Sequence, residues 1–176
     1  FMNGDYESSL ESSQKYQALS GKNTYLSQYI YREGLSFFYL DNYERALTTL
    51  KKLSQMEEGG ELKNEAVYWI AIIYYQLNNT SETFSYLNKY KDFKTGNYQD
   101  YCLYTLAKIY QNSGKIKESN QEAKDLITRF PESHLFYQTK ILILENNYYL
   151  GLYKEVVIEG SGIKPNQVSN PDYLNY

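Results

Sequence analysis

Cysteine and histidine are almost missing from this chain of 176 residues, with Cys102 and His134 the sole examples. Neither a disulfide framework nor a metal site built on several Cys or His ligands can be assembled from them. Blocks of like charge are lacking as well. Lys and Arg number 18 against 21 Asp and Glu, interspersed along the chain, so no electrostatic footprint for a phosphate backbone exists and nucleic acid is not an expected partner. Long apolar runs are absent too. YWIAIIYYQL at 68–77 is ten residues long, whereas a helix crossing a bilayer needs about 20, so no transmembrane segment is expected. EGSGIKP at 159–165 has neither the strand nor the second half of a phosphate-cradling glycine loop. No signal peptide or lipid-attachment motif stands at the start. The opening FMNGDYESS places phenylalanine before the first methionine, as in an excised or processed fragment, so the missing export signal carries no weight.

What the chain does have is tyrosine, 22 residues of it, within a 42% hydrophobic composition that suffices for a real core. It also has a period. Ser9, Ala46, Thr83, Ser119 and Val156 follow one another at spacings of 37, 37, 36 and 37. Three residues before each come Tyr6, Tyr43, Thr80, Ile116 and Tyr153, a column of aromatic or β-branched residues. Twelve before the small column lie Gly34, Ala71 and Ala107, each followed three positions later by an aromatic residue: Phe37, Tyr74 and Tyr110. Each period therefore predicts two helices. The first carries a small residue where it crosses its partner and an aromatic one turn later. LDN at 40–42, NNT at 78–80, NSG at 112–114 and LGL at 150–152 read as the turns between them. The second helix opens on the Tyr/Thr/Ile column and runs apolar at helical spacing, as in Ala46, Leu47, Leu50 and Leu53. RFPES at 129–133 ends one such helix at Pro131, and Ser133 can start the next.

These columns resemble the tetratricopeptide repeat family, whose motif runs from a large residue through Leu-Gly and an aromatic to an alanine, a phenylalanine and a closing proline. Ile30, Gly34, Phe37, Tyr43, Ala46 and Leu50 carry the likeness in a first repeat at 23–59. Val67, Ile70, Ala71, Tyr74 and Leu87 carry it in a second at 60–96, and Leu103, Leu106, Ala107, Tyr110, Gly114, Ala123 and Pro131 in a third at 97–132. The resemblance implies an all-α, right-handed superhelical solenoid of antiparallel helix pairs. Residues 1–22 then form the second helix of a truncated repeat plus a linker, and 133–160 a fourth repeat whose register is open. There Leu144 and Asn147 stand where a small residue and an aromatic belong, and a one-residue slip bringing Tyr148 into the aromatic column is expected. Residues 161–176 read as a loop or the start of a further unit. Neither end looks like a polar cap, so a longer natural chain is expected.

In the family the first helices line a concave surface. Three residues before Gly34, Ala71 and Ala107 stand Tyr31, Tyr68 and Tyr104, followed on the same face by Leu35 and Phe38, by Ile72 and Tyr75, and by Lys108 and Gln111. Tyr39, Gln76 and Asn112 fall at the rim and Trp69 at the margin, while Ile70, Ala71, Tyr74 and Leu77 turn into the core. The expected partner-binding set is Tyr31, Leu35, Phe38, Tyr39, Tyr68, Trp69, Ile72, Tyr75, Tyr104, Lys108 and Gln111. Tyrosine suits such a groove because it offers a rigid face and a hydroxyl that still hydrogen-bonds. The same column also reads as packing between adjacent first helices, given so much tyrosine. With Tyr31 and Tyr68 where a chaperone-tail carboxylate clamp has its first Lys and a neighbour, that sub-function is not expected.

No catalytic constellation, cofactor site or metal site emerges. His134 sits in a first turn with an exposed or capping role, Cys102 reads as a small packing residue, and Glu57 with Glu58 as solvated turn surface. Asn78 and Asn79 fit glycosylation sequons with Thr80 and Ser81, a pattern common by chance. The expectation is a non-catalytic scaffold binding a peptide segment or partner helix. LITRFPESHLFYQTKILILENNYYLG resembles the bacterial envelope subset of the family, that of outer-membrane assembly lipoproteins and periplasmic coordination proteins, and implies a periplasmic or envelope-associated location, with the cytoplasm as alternative. Two other readings stay open: a peptide-sensing domain controlling an attached effector, and a carbohydrate-binding helical domain using tyrosines and Trp69 as stacking platforms.

Overall fold

The computed structural model describes residues 6–8, 11–12, 15, 25–93 and 96–163. Ser9, most of the half-repeat expected at 1–22, and 164–176 of the expected terminal segment lie outside them. Among the described residues there are helices and turns and no strand. The chain divides into two compact units, Phe1–Tyr98 and Gln99–Tyr176. The first contains α1 (Leu26–Tyr39), α2 (Tyr43–Ser54), a 3-10 turn (Glu57–Gly59), α3 (Leu62–Gln76) and α4 (Thr80–Lys91). The second contains α5 (Gln99–Asn112), α6 (Ile116–Arg129), α7 (Phe136–Tyr149) and α8 (Tyr153–Gly160). In each unit every helix packs on the next, and α1 also touches α3.

Four turns repeat one backbone device. Asp41, Asn78, Gly114 and Gly151 take positive φ of 55°, 56°, 72° and 74°. The amide after each reaches back to a carbonyl five residues earlier: Asn42 to Phe37 at 2.8 Å, Asn79 to Tyr74, Lys115 to Tyr110 and Leu152 to Asn147 at 2.9 Å. This is the Schellman closure, which satisfies otherwise orphaned helix-end carbonyls through one left-handed residue. Asn and Asp enter that conformation more readily than other side chains, and Gly without a Cβ penalty. The next helix then opens at Tyr43, Thr80, Ile116 and Tyr153. Asn42 and Asn79 cap two of these starts by accepting from the amides of Arg45 and Glu82. Glu44, Glu82, Glu118 and Glu155 place a negative charge in all four first turns, where the helix dipole favours it.

The fourth of these closures overturns the expected slip. Asn147 supplies the same carbonyl as Phe37, Tyr74 and Tyr110, so it holds the aromatic column, and Tyr148 points out at 59% exposure. Asn fits there because its neighbours are polar. Asn120 Nδ2 donates to Asn147 Oδ1 at 2.9 Å and Asn146 Nδ2 to Ser119 Oγ at 2.8 Å, all four residues buried. Side-chain amides thus join α6 to α7 where an aromatic ring would otherwise fill the space.

Where the small column survives, helices approach closely. Ala46, Thr83 and Ser119 are wholly buried. A Cβ on Gly34 would stand 2.6 Å from Leu50 Cγ, so α1 and α2 meet at a spot only hydrogen can occupy. In the second unit Ala107 and Ala123 pack with Leu142 and Ile143, and Leu103 with Leu126 and Leu135. Each such leucine taken fully from water contributes about 1.5–3 kcal/mol. Pro131 follows α6 after Phe130. Ser133 does not begin the next helix; its Oγ accepts from the amide of Leu135 and α7 starts at Phe136. Leu77 does not enter the core either: it sits at the C-cap of α3 and is 47% exposed.

Candidate functional site

In the first unit an aromatic layer joins α1 to α3. Trp69 on α3 lies against Phe38 and Tyr39 on α1, with ring centroids 5.1 and 6.1 Å away, and its indole N–H donates to Tyr31 Oη at 2.9 Å. Tyr68 stacks on Tyr98 at 4.5 Å with the rings 6° from parallel, and its other neighbour, Tyr90, is 5.3 Å away. Tyr6 stacks on Tyr39 at 4.6 Å. Offset-stacked and edge-on contacts of this kind each contribute about 0.5–1.5 kcal/mol beyond the area they bury. Burial, reinforced by Tyr98 and the Glu65 carboxylate, pushes the Tyr31 hydroxyl far above the usual tyrosine range. It is a neutral hydroxyl throughout ordinary conditions.

In the second unit the corresponding face is polar. Lys108 Nζ donates to Gln111 Oε1 at 2.9 Å, and Gln111 Nε2 donates to Glu145 Oε2 and Asn146 Oδ1 at 3.0 and 3.1 Å. Tyr104 stands beside them, its hydroxyl pushed up by burial and then by the Glu145 charge. The chain α5–Gln111–α7 is therefore tied by amides, as the first unit is tied by rings.

Known proteins now bear on this geometry. A tetratricopeptide repeat family profile matches residues 28–55 and 101–133, the stretches holding α1 with α2 and α5 with α6. Those two stretches carry tetratricopeptide repeats. Solved structures with the same fold include MamA, at 15% identity and a TM-score of 0.68 over 91% of this chain and 87% of that one. A putative kinesin light chain from Podosopora anserina with nearly identical TPR-like repeats aligns at 10% identity and 0.64 over 91% and 86%. No curated protein sequence matches the chain. At such identities the likeness speaks for the fold: all-α and of the tetratricopeptide repeat solenoid class.

Within these repeats the expected binding residues separate into two layers. Tyr31, Tyr39, Tyr75, Tyr104, Lys108 and Gln111 are half-buried, each with part of its surface open. Leu35, Phe38, Tyr68, Trp69 and Ile72 are buried at 4–8% exposure. Trp69 is thus a wedge between first helices and not a marginal surface ring, because Phe38, Tyr39 and Tyr98 enclose it and Tyr31 takes its only donor. Tyr31 and Tyr68 lie in one unit and Tyr104 in the other. His134, Glu57 and Glu58 are exposed and Cys102 is buried.

Glu65 escaped the sequence reading. It sits one helical turn before Tyr68, is only 4% exposed, and accepts the Asn97 amide on Oε1 at 2.9 Å. Burial raises its pKa, the hydrogen bonds from Asn97 oppose that, and the nearby Glu61 charge adds to it. The available signal was positional: Gln28, Glu65 and Tyr101 stand three residues before each column tyrosine, on the same helix face.

Proposed function

We propose that this protein is a non-catalytic interaction scaffold that binds an extended peptide or a partner's helix across the first-helix faces of its repeats. Tetratricopeptide repeats are in general protein-interaction modules, and the chain's repeats support that broader role. The observation that carries the finer reading is the two-layer arrangement of the face. Half-buried Tyr31 and Tyr39 lie against buried Trp69, and Tyr39 against Phe38 as well, while Tyr75 is half-buried on the same helix as Trp69. Tyrosines held in this way lose little side-chain entropy when a ligand docks, and each keeps a hydroxyl for orientation. The second unit offers its own polar set, in which Lys108 and Gln111 are ordered by one another beside Tyr104. Trp69 is closed off at 6% exposure, so it is not itself available as a stacking platform for a carbohydrate. Assembly work in a bacterial envelope is the setting we favour, on the strength of the RFPES turn alone.

The test is a selection of random peptides against the wild-type chain, with binding then measured for a Tyr31→Ala, Tyr75→Ala, Tyr104→Ala triple variant. A folded triple variant, judged by helical circular dichroism, should bind the selected peptides at least tenfold more weakly. Unchanged affinity in the folded variant would show that these tyrosines serve packing alone.

A further inference from the structure

Next to Tyr31 the first unit has an open cavity of about 560 Å³, lined among others by Tyr31, Arg32, Glu58, Glu61, Glu65 and Asn97. Its charged lining is three carboxylates against one guanidinium. Glu58, Glu61 and Arg32 are exposed at its rim, while Glu65 is buried. Glu65 also has unused acceptor capacity: Oε1 is taken by the Asn97 amide, and Oε2 is buried with no hydrogen-bond partner among the described residues. A buried carboxylate oxygen without a donor bears the desolvation penalty with no hydrogen bond to offset it. Binding a donor there recovers that cost.

We propose that this cavity receives a primary ammonium group, carried by a lysine side chain of the bound peptide, with Glu65 Oε2 as its acceptor. The inference rests on the peptide-binding reading of the same face. The donor arrangement selects ammonium over guanidinium. An arginine reaches its best geometry when both carboxylate oxygens are open to its fork, and here one is occupied by backbone. An ammonium is a compact point donor that one oxygen can satisfy, and the Tyr31 ring beside it offers a π face. Glu58 and Glu61 at the rim favour the approach of a cation, and Arg32 opposes it.

The experiment uses the full ¹⁵N-labelled chain, titrated with an acetylated and amidated pentapeptide of four glycines around one lysine, with its glutamine counterpart, and with n-butylammonium. The Asn97 amide resonance should shift saturably with the lysine peptide and not with the glutamine peptide. In Glu65→Gln, which keeps the shape and the Asn97 contact, that shift should weaken at least tenfold, while Arg32→Gln should tighten it two- to fivefold. Tighter binding of the peptide than of n-butylammonium supports a peptide lysine as the source; the reverse order overturns the peptide and leaves a free amine as ligand. No saturable shift with either amine, or full retention in Glu65→Gln, overturns the proposal. If that happens while peptides selected on the tyrosine face still bind, the cavity inference fails alone; if those peptides also fail to bind, the underlying reading fails with it.

Discussion

The indole nitrogen of Trp69 is 2.9 Å from the hydroxyl of Tyr31, a single hydrogen bond linking the first helices of two successive repeats across 38 residues of chain. Tyr31→Phe keeps the ring and removes the acceptor, leaving a buried N–H with nothing to donate to. The expected cost is about 1–3 kcal/mol, read as a lower urea midpoint at unchanged slope. An unchanged midpoint would mean that the bond contributes nothing net.

Glu65 makes stability depend on pH in a direction opposite to that of most carboxylates. Its folded pKa lies above the ordinary value of 4.5, so the folded state holds the proton more tightly than the unfolded one. Its favourable contribution is complete below the ordinary Glu range and is lost as pH rises through the raised folded pKa. Glu65→Gln should therefore be more stable than wild type at pH 7 and indistinguishable from it below pH about 4. Thermal melts across that range, with both proteins in the same buffers, decide it.

Gly34→Ala sets two effects against each other. Helix propensity favours alanine by about 1 kcal/mol, but the new methyl would overlap Leu50, 2.6 Å away, and overpacking of this kind costs about 1–3 kcal/mol. Contact with Leu50 Cγ, and not only with a movable chain end, decides for destabilisation. Gly34→Ala combined with Leu50→Ala should cost less than the two single changes summed, which a double-mutant cycle measures.

Gly114 has φ of 72° with open space around its missing Cβ, so Gly114→Ala tests conformation without sterics from neighbours. A loss of about 1–2 kcal/mol is expected. Asn78 occupies the equivalent turn at φ 56°, and Asn78→Gly should be neutral or slightly stabilising. Destabilisation by Asn78→Gly as large as that by Gly114→Ala, measured by calorimetry, would contradict the shared closure.

The amide pair of Asn120 and Asn147 should show coupling. Asn120→Ala and Asn147→Ala each strand a buried partner, and the cycle should return an interaction of about 1 kcal/mol. Zero coupling would assign the fourth repeat's register to the backbone closure alone.

Residue spacing carried most of the fold. Small and aromatic columns at 36–37 residues placed the turns and the helix starts at Tyr43, Thr80, Ile116 and Tyr153, since steric crowding at a helix crossing and a left-handed turn leave few residue types to choose from. Asn147 was misjudged because a polar network can hold a position that composition assigns to a ring, and its partner, Asn120, lies on another helix. Depth within the face was also hidden. Tyr31 and Tyr68 occupy one column, yet Tyr68 is buried because Tyr98 and Tyr90 from later in the chain close over it. Helical phase tells which way a side chain points, not what arrives to cover it. The same limit concealed Glu65, whose character depends on the Asn97 backbone 32 residues on.

Helix α8 contributes no buried residue, and Val157 and Ile158 on it are each 72% exposed. Opening it uncovers little apolar surface that is not already wet, so little free energy opposes the event. In deuterated buffer its amides should exchange well ahead of those of α6, whose Ala123 and Leu126 are sealed. Among the described helices α8 is thus the soft one: it can come and go on the timescale of solvent exchange while α6 holds its shape.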